Sequence, residues 1–320
     1  MKAAVYDHHG PPEVLRCADV AEPRVGPEDV LIEVRAISVE GGDLINRRTT
    51  PPPAPGHVVG YAASGRIVAT GPAVTHRAVG QRVTSFGFDG SHAARRVVPA
   101  RQTWLVPDGV HWAAAAALPI SFGTAHHCLF ARGALRAGET VFIQAAAGGV
   151  GLAAIQLAKR AGATVIASSS GPDRLQRLVA LGADLAIDRR TEDVAGAVLD
   201  RTEGEGVAVV VDPVGSTLQA SLSVLADGGR LVFVGNAGGG RLEADLWPAL
   251  QANQSLLGVF MGSRFLDPAV FATVDDMLAD VAEGTLTVVV DRAFALADAP
   301  AAHRHAEESS PFGRVVLVPE

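Results

Sequence analysis

The sequence predicts an α/β protein of two domains, one rich in β-strands and one built on a doubly wound parallel sheet. The chain has 320 residues, which is more than a single hydrophobic core usually supports. Before about residue 112, β-rich runs such as DVLIEVRAI and SGRIVAT alternate with glycine and proline turns, and no segment is typical of a long helix. After that point, apolar strand-like runs alternate with helical segments or glycine-rich turns, as in a parallel sheet buried on both faces.

The later elements follow in a regular order. A helical segment, WAAAAALPISFGTAHHCLFARGAL, precedes six apolar runs: TVFIQA, TVIASS, LAIDR, VAVVVDPV, RLVFVG and SLLGVFMG. The final stretch, FGRVVLVPE, is typical of a strand with no helix after it. This strand could pair back into the first domain.

Composition excludes several classes of protein. Two cysteines, Cys17 and Cys128, allow no disulfide framework and suit a reducing compartment. The net charge of −7 disfavours a nucleic-acid partner. The N-terminal residues show no secretory signal. The uncharged stretch 141–158 is interrupted by glycines and glutamines, so a membrane span is disfavoured. We therefore predict a cytoplasmic protein.

The stretch QAAAGGVGLAAIQLAKRAG, residues 144–162, is the strongest local signal. A buried strand precedes its glycines, and a helix closed by Gly162 follows them. This strand–turn–helix context is the one that a dinucleotide-binding G-x-G-x-x-G fingerprint requires, here with Ala146, Gly148 and Gly151 in the three places. Gly148 would let the backbone approach a pyrophosphate, and Gly151 would let the helix lie close to the sheet. The alternative is a glycine-rich turn with no ligand.

The next strand bears on the choice of cofactor. It ends in Ser168, Ser169 and Ser170, with no carboxylate to bind a ribose 2′-hydroxyl. These hydroxyls, a helix predicted to begin near Pro172 and the side chain of Arg174 could hold a 2′-phosphate. NADPH is therefore favoured over NADH, although Asp173 adds a nearby negative charge and serines also form ordinary turns.

The order of motifs resembles the medium-chain dehydrogenase/reductases, and within them the zinc-independent, zeta-crystallin-like quinone oxidoreductases. The segments that carry the resemblance are ALPISFGTAHHCLF, GETVFIQAAAGGVGLAAIQLAKRAGATVIA, LGADLAIDRR, VVVDPVG, LADGGRLVFVGN and GRVVLVP. The resemblance implies a GroES-like β-rich catalytic domain (1–118 and 263–320), a Rossmann NADP-binding domain (119–262) and a cofactor cleft between them. It also implies a homodimer joined through the last Rossmann strand.

The resemblance extends the set of predicted cofactor residues. It implies that segments 212–215 and 234–236 line the nicotinamide side, with residues 124 and 313–314 near the cofactor. With the fingerprint and the serine cluster, the predicted cofactor-binding residues are Thr124, Ala147, Gly148, Gly149, Val150, Gly151, Ser168, Ser169, Ser170, Arg174, Asp212, Val234, Gly235, Asn236 and Arg314.

Zinc is predicted to be absent, although the letters PGHVVG are similar to a zinc-ligand motif of related alcohol dehydrogenases. Counting back from the strand GRIVATG puts Tyr61 in the histidine place of that motif and Ala62 in its glutamate place. Similar counting puts Glu40 and Ile120 where the first and last ligands would stand. One carboxylate, one phenol and one isoleucine do not form a tetrahedral zinc site.

The predicted reaction is hydride transfer from NADPH to a quinone or another α,β-unsaturated carbonyl. Holding the nicotinamide close to the electrophilic carbon of the substrate supplies most of the catalysis. The candidate catalytic side chains are Tyr61, as a hydrogen-bond donor to the substrate carbonyl, and Glu40, as an acceptor or proton relay. Each has a plain alternative, because Tyr61 could be a packed core phenol and Glu40 a solvated loop carboxylate.

The predicted substrate residues are Asn46 and Arg47, and Arg47 matches a family arginine. The tyrosine that the resemblance implies two positions after Asp43 is replaced by Ile45, which weakens the quinone assignment. Two other functions therefore remain open: an enoyl thioester or enone reductase, and a protein that binds NADPH without turnover.

Overall fold

The structure is a computed structural model that describes residues 1–319. It divides into two compact units, the first made of Met1–Gly123 and the segment that begins at Gly262, and the second of Thr124–Met261. The domain boundaries predicted from the sequence, 1–118 with 263–320 and 119–262, stay a prediction.

The strands are numbered in chain order. They are β1 (Lys2–Tyr6), β2 (Arg16–Asp19), β3 (Asp29–Ser38), β4 (His57–Val58), β5 (Ala62–Thr70), β6 (Arg82–Phe86), β7 (Arg95–Pro99), β8 (Thr103–Leu105), β9 (Thr140–Ile143), β10 (Thr164–Ser169), β11 (Leu185–Asp188), β12 (Val207–Asp212), β13 (Leu225–Phe233), β14 (Ser255–Gly258), β15 (Val290–Ala295) and β16 (Arg314–Val318).

The helices follow the same convention. They are α1 (Gly41–Thr49), α2 (Trp112–His126), α3 (Gly149–Arg160), α4 (Pro172–Ala180), α5 (Val194–Arg201), α6 (Leu218–Ser223), α7 (Trp247–Gln251), α8 (Pro268–Ala282) and α9 (Ala299–Glu308). Helix α2 continues into a π-helical segment, His127–Arg132, and α4 begins at the predicted residue, Pro172.

The first unit is built on two antiparallel-rich sheets. One has the order β2-β1-β4, and the other has the order β15-β16-β3-β5-β6-β8 with β7 also paired to β3. Alternate apolar residues of β3, among them Val30, Ile32 and Val34, are buried in the main core. The last strand, β16, pairs antiparallel with β3, so the prediction that it returns to the first domain is confirmed.

The second unit is a six-stranded, fully parallel sheet in the order β11-β10-β9-β12-β13-β14. The chain moves outward from β9 in one direction and from β12 in the other, which is the doubly wound topology. The successive side chains of Val209, Val210 and Val211 are all fully buried, because both faces of the sheet are covered. The predicted fold class is confirmed, and the turns that follow β9, β10 and β12 meet at one edge of the sheet.

Helix α1 is absent from the sequence prediction. Its first two residues are glycines, and its buried positions are the polar residues Asp43 and Arg47, so hydrophobic periodicity does not reveal it. The uncharged stretch 141–158 forms β9, a turn and most of α3. Among residues 1–319, no helix combines the length and the apolar character needed to cross a membrane.

Candidate functional site

The glycine-rich turn lies between β9 and α3, as predicted, and its two key glycines differ in their surroundings. A Cβ atom on Gly151 would lie 2.5 Å from Cα of Ala146, so the packing of α3 against the turn requires glycine there. A Cβ atom on Gly148 would meet only the Ala145 carbonyl oxygen, at 3.5 Å. The protein itself therefore has room for a side chain at Gly148.

The same residue caps a helix that suits an anion. Gly148 is exposed and stands at the N-cap of α3, with Gly149 and Val150 in the first turn. The backbone amides of Gly149 and Val150, together with the helix dipole, form the kind of site that binds phosphate groups, whereas the Gly148 amide donates to the Ala145 carbonyl. The open space at Gly148 fits the close approach of a dinucleotide pyrophosphate, and the neighbouring Ala147 lines the turn.

The serine cluster at the end of β10 is buried, and its members have different partners. The hydroxyl of Ser168 donates to Oε1 of Gln144 at 2.9 Å, so its hydrogen is committed within the protein. This corrects the prediction that Ser168 donates to a phosphate. The hydroxyl of Ser170 accepts a weak hydrogen bond, at 3.4 Å, from Nη1 of Arg174. Ser169 and Arg174 therefore remain the candidate phosphate ligands from the predicted set, together with Ser170.

The neighbouring strand β11 supplies two residues that the sequence analysis missed. Asp188 stands opposite Ser169 in the sheet, and one of its carboxylate oxygens accepts from the backbone N–H of Gly171 at 3.0 Å. Backbone hydrogen bonds from Arg190 and Gly171 lower the pKa of Asp188. The backbone N–H of Arg189 donates to the Ser169 carbonyl, and its side chain is exposed. The carboxyl ends of parallel strands meet at one sheet edge. This rule, applied to the predicted strand LAIDR, could have identified both residues from the sequence.

Asp212, at the end of β12, organises the turn that follows. One carboxylate oxygen accepts from the backbone N–H groups of Val214 and Gly215, at 2.8 and 3.0 Å. The other accepts from the hydroxyls of Thr217 and Ser221, both at 2.7 Å. Because four donors already satisfy this buried carboxylate, Asp212 shapes the turn and is not itself a free ligand. That segment 212–215 lines the nicotinamide side stays a prediction.

The turn after β13 presents an unsatisfied polar atom. The buried Oδ1 of Asn236 has no hydrogen-bond partner among residues 1–319, whereas its Nδ2 donates to the Gly240 carbonyl at 2.8 Å. A Cβ atom on Gly215 would lie 2.6 Å from that same oxygen, so the two turns approach closely here. Val234 and Gly235 precede this residue in the same turn. A buried acceptor of this kind suits an amide donor on a ligand, such as the carboxamide of nicotinamide.

In the first unit, Glu40 caps α1 and is buried. One of its carboxylate oxygens accepts from the Ser38 hydroxyl at 2.6 Å, and the other forms an ion pair with Nη2 of Arg314 at 2.7 Å. Burial raises the pKa of Glu40, although Arg314 and Ser38 oppose this shift. The structure excludes the solvated loop carboxylate as an interpretation of Glu40. Arg314 also donates from Nε to the hydroxyl of Ser121 at 2.7 Å, and its predicted cofactor role stays a prediction.

Asp43 lies beside Glu40 and is fully buried. One of its carboxylate oxygens accepts from the backbone N–H of Glu40 at 2.8 Å, and the other has no hydrogen-bond partner among residues 1–319. Burial, with a smaller contribution from the charge of Glu40, raises the pKa of Asp43 to about 8, although backbone hydrogen bonds from Glu40 and Tyr61 and the charge of Arg96 oppose this shift. Asp43 is therefore mostly protonated at neutral pH.

Tyr61 and Asn46 face each other in the same unit. The side-chain amide of Asn46 donates to the Tyr61 hydroxyl oxygen at 2.7 Å. Both residues are half-buried, so they are reached from one side only. Burial raises the pKa of the Tyr61 phenol, which stays protonated at neutral pH. The structure thus brings together the catalytic candidate Tyr61 and the substrate candidate Asn46, which were predicted separately.

Arg47 is not placed for contact with a substrate. Its side chain is fully buried, forms an ion pair with Glu307 on α9 and donates to the Gly10 carbonyl at 2.6 Å. The structure therefore corrects its predicted role to that of a residue joining α1 to α9. Thr124 is buried near the end of α2.

Within residues 1–319, no group of three or more His, Cys, Asp or Glu side chains is arranged to hold a metal ion. Glu40, which counting places at the first ligand position of related zinc enzymes, is already paired with Arg314. The predicted absence of zinc remains a prediction.

Two family models match the chain. A GroES-like alcohol dehydrogenase domain matches residues 26–108, and a zinc-binding dehydrogenase domain matches residues 149–280. A quinone oxidoreductase of Pseudomonas aeruginosa is 33% identical, and the match covers 99% of each chain. The chain belongs to the quinone oxidoreductase family of medium-chain dehydrogenase/reductases.

Other members of this large group support the assignment. A 2-haloacrylate reductase of a Burkholderia species is 32% identical, over 99% of each chain. Among solved structures, the Escherichia coli quinone oxidoreductase in complex with NADPH superposes with a TM-score of 0.93, at 26% identity and over 100% of both chains. The quinone oxidoreductase family thus accounts for the whole chain.

Proposed function

We propose that this chain is an NADPH-dependent, zinc-independent reductase that transfers hydride to a quinone or to another α,β-unsaturated carbonyl. The observation that carries the proposal is the turn between β9 and α3. There, Gly151 is required by packing, whereas a Cβ atom on Gly148 would meet only the Ala145 carbonyl oxygen, and this open space supports the close approach of a dinucleotide. Similarity to a quinone oxidoreductase solved with NADPH supports the same cofactor.

The preference for NADPH over NADH has its own support. Ser169, Ser170, Arg174 and Arg189 lie around the carboxyl ends of β10 and β11, and ligands of doubly wound sheets bind at the carboxyl ends of the strands, which supports an adenosine ribose here. Two arginines can bind a phosphate dianion through charge-assisted hydrogen bonds. The negative charge of Asp188 disfavours a 2′-phosphate nearby. Both of its carboxylate oxygens, however, already accept hydrogen bonds from the backbone N–H groups of Gly171 and Arg190.

The chain's own residues bind and orient the cofactor and the substrate, and they take little part in the covalent chemistry. When bound, the reduced nicotinamide supplies the hydride. Asn236 offers an acceptor to the carboxamide, and the amides of α3 hold the pyrophosphate. Tyr61 offers a phenol to the substrate oxygen. Glu40 is tied to Arg314 and Ser38, so it is a weaker candidate for proton transfer than Tyr61 or water.

A homodimer is part of the same proposal. Strand β14 is the outer strand of the parallel sheet, and large apolar side chains near it are exposed, among them Leu250, Leu256 and Phe260. An unpaired strand edge beside exposed apolar residues is a surface that a second copy can cover through a two-fold axis. The cytoplasmic location and the absence of a nucleic-acid partner stay predictions.

The decisive experiment follows the loss of NADPH absorbance with four electrophiles: 1,4-benzoquinone, 1,2-naphthoquinone, an alkenal and a short enoyl thioester. NADH is tested in parallel, and each reaction is repeated after dialysis against a chelator. We expect turnover with at least one quinone, faster with NADPH and unaffected by the chelator. Preference for the thioester would favour enoyl reduction instead. Tight NADPH binding without turnover on any electrophile would favour the non-catalytic alternative.

A further inference from the structure

The ring of Tyr61 lies directly on the backbone of α1. A Cβ atom on Gly42 would overlap Cε2 of Tyr61, and it would lie 2.9 Å from Cζ and 3.0 Å from the hydroxyl oxygen. A Cβ atom on the adjacent Gly41 would meet nothing within 4 Å. Of two neighbouring glycines, only Gly42 is therefore required by the ring.

In the hydrogen bond between Asn46 and Tyr61, the phenol oxygen of Tyr61 is the acceptor. Asn46, one helical turn after Gly42 on the same face of α1, donates its amide hydrogen to the phenol oxygen. A phenol can accept one hydrogen bond and still donate its own hydrogen. No residue within 1–319 accepts that hydrogen. The Asn46 amide thus leaves the Tyr61 hydroxyl as a donor for a ligand.

The surface beside this donor is apolar and aromatic. The rings of Phe86 and Phe88 meet the Tyr61 ring edge-on, with centroids 6.2 and 6.0 Å away. Phe86 is buried, whereas Phe88 is 55% exposed and Ile45 is 36% exposed. One directed hydrogen-bond donor beside an exposed aromatic ring is complementary to a flat conjugated group that carries a carbonyl oxygen.

We infer that Gly42 and Asn46 are positioning residues that hold the Tyr61 phenol as the hydrogen-bond donor to the carbonyl oxygen of a flat, conjugated substrate. Gly42 gives the ring its place, and Asn46 fixes the direction of the hydrogen bond. The assignment of that carbonyl compound as a substrate rests on the proposed reductase function. The placement of the phenol rests on the contacts with Gly42 and Asn46 and is independent of that function.

The kinetic test compares four variants. Gly42→Ala displaces the ring, and Tyr61→Phe removes the donor. Asn46→Asp keeps the shape but accepts a hydrogen bond, so the phenol hydrogen is used within the protein. For each of these we expect kcat/KM with 1,2-naphthoquinone to fall about 10-fold, with NADPH affinity unchanged. Gly41→Ala is the matched control, and it should keep wild-type kinetics and thermal stability.

Because the Gly42 and Asn46 variants act through one hydroxyl, combining either with Tyr61→Phe should cause no further loss of kcat/KM. Additive losses would mean that Gly42 or Asn46 acts independently of the phenol, and they would overturn the inference.

A second measurement does not depend on turnover. The chain has two tyrosines, so 3-fluorotyrosine labelling gives two fluorine signals, and Tyr6→Phe identifies that of Tyr61. Acetophenone, an aryl ketone, is titrated without cofactor into each protein. We expect it to shift the Tyr61 signal in the wild type and in Gly41→Ala, but not in Gly42→Ala or Asn46→Asp.

The two proposals fail in different ways. An absence of shift in the wild type, or an equal shift in all four proteins, would overturn the inference even if the enzyme reduces quinones. Conversely, the expected pattern of shifts in a protein that oxidises no NADPH would leave the carbonyl site intact and reject the reductase function.

Discussion

The carboxylate of Glu40 and the guanidinium of Arg314 form an ion pair of 2.7 Å that joins the start of α1 to the last strand, β16. The side chain of Glu40 is 1% exposed and that of Arg314 is 15% exposed, so neither charge is well hydrated. Removing one partner of such a pair is costly, because the other is left unpaired in a poorly solvated place. The pair anchors helix α1, which carries Asp43, Asn46 and the Gly42 backbone that contacts the Tyr61 ring.

We predict that the two glycines of the β9–α3 turn have separable effects. Gly148→Ala should leave the free energy of unfolding within about 0.5 kcal/mol of wild type and weaken NADPH binding about 10-fold, and Gly148→Asp should abolish binding. Gly151→Ala should destabilise the protein by about 1–3 kcal/mol, because its methyl group overlaps Ala146. Calorimetric titration with NADPH and denaturant unfolding measure both effects. Unchanged NADPH affinity in Gly148→Asp would reject the assigned pyrophosphate site.

A second prediction concerns discrimination between the two nicotinamide cofactors. Arg189→Ala, and Arg174→Ala combined with Ser169→Ala, should each raise the Kd for NADPH about 10-fold or more and leave that for NADH nearly unchanged, since each removes donors to a dianion. Arg101→Ala removes the same charge from the surface of the first unit and serves as the control. Equal losses for NADPH and NADH would show that the 2′-phosphate is held elsewhere.

A third prediction follows from the raised pKa of Asp43. Its pKa is about 8 in the folded protein, against an ordinary value of 3.8, so the folded state retains a proton that the unfolded state has lost. The contribution of this group to stability is present at low pH and disappears as the pH rises toward 8. Between pH 6.5 and 8, the free energy of unfolding of the wild type, measured relative to that of Asp43→Asn, should fall by about 1–2 kcal/mol.

The measurement is urea unfolding of a Trp247→Phe background, in which Trp104 and Trp112 report on the first unit. Asp43→Asn, which cannot titrate, should lack the fall above pH 6.5. A difference in stability between wild type and Asp43→Asn that is constant or rising over this interval would contradict the prediction.

A fourth prediction concerns the buried histidines His92 and His303, whose Nε2 atoms lie 3.0 Å apart in a hydrogen bond. Burial, reinforced by Arg96, lowers the pKa of His92 to about 3, and burial also lowers that of His303. Both rings are therefore neutral in the folded state, and this contribution to stability is lost as the pH falls below the ordinary value of 6.5.

His303→Gln should reduce the loss of stability between pH 6.5 and 5.5 by about 1 kcal/mol, because one proton fewer is taken up on unfolding. His9→Gln removes an exposed histidine from the same unit, and its slope should match wild type. The same urea experiment measures both variants, and identical slopes for His303→Gln and wild type would reject the prediction.

A fifth prediction tests the proposed homodimer. Leu256→Lys introduces a charge into strand β14 and should convert the dimer to a monomer, because burying an unpaired ammonium group is unfavourable. Leu105→Lys changes an exposed leucine on β8, the outer strand of the large sheet of the first unit, and should not alter the assembly. Sedimentation analysis distinguishes the outcomes. A wild type that sediments as a monomer would remove the basis for the dimer.

The sequence was sufficient for features that depend on neighbours along the chain. The strand–turn–helix at Gly148 and the helix at Pro172 follow from local glycine, proline and apolar patterns, and the structure confirms both. Helix α1 was missed because Asp43 and Arg47, four residues apart, occupy its buried face, where a pattern search expects apolar side chains.

Features that depend on partners distant in sequence were not predictable. Ser168 is committed to Gln144, Arg47 to Glu307 and Arg314 to Glu40. A serine or arginine has the same local pattern whether its partner is a ligand or another side chain, so only the tertiary structure decides between a binding and a structural role.

The position of β16 has a consequence for biosynthesis. This strand lies between β15 and β3 in the large sheet of the first unit, yet the ribosome synthesises the whole of the second unit before it. The parallel sheet of the second unit can therefore fold while the nascent first unit still lacks two strands and the Arg314 partner of Glu40. During that interval the end of β3 at Ile37 and Ser38 lacks its β16 partner, whereas β7 already covers residues 29–33 of the same edge, so translation itself exposes a strand end that the finished protein conceals.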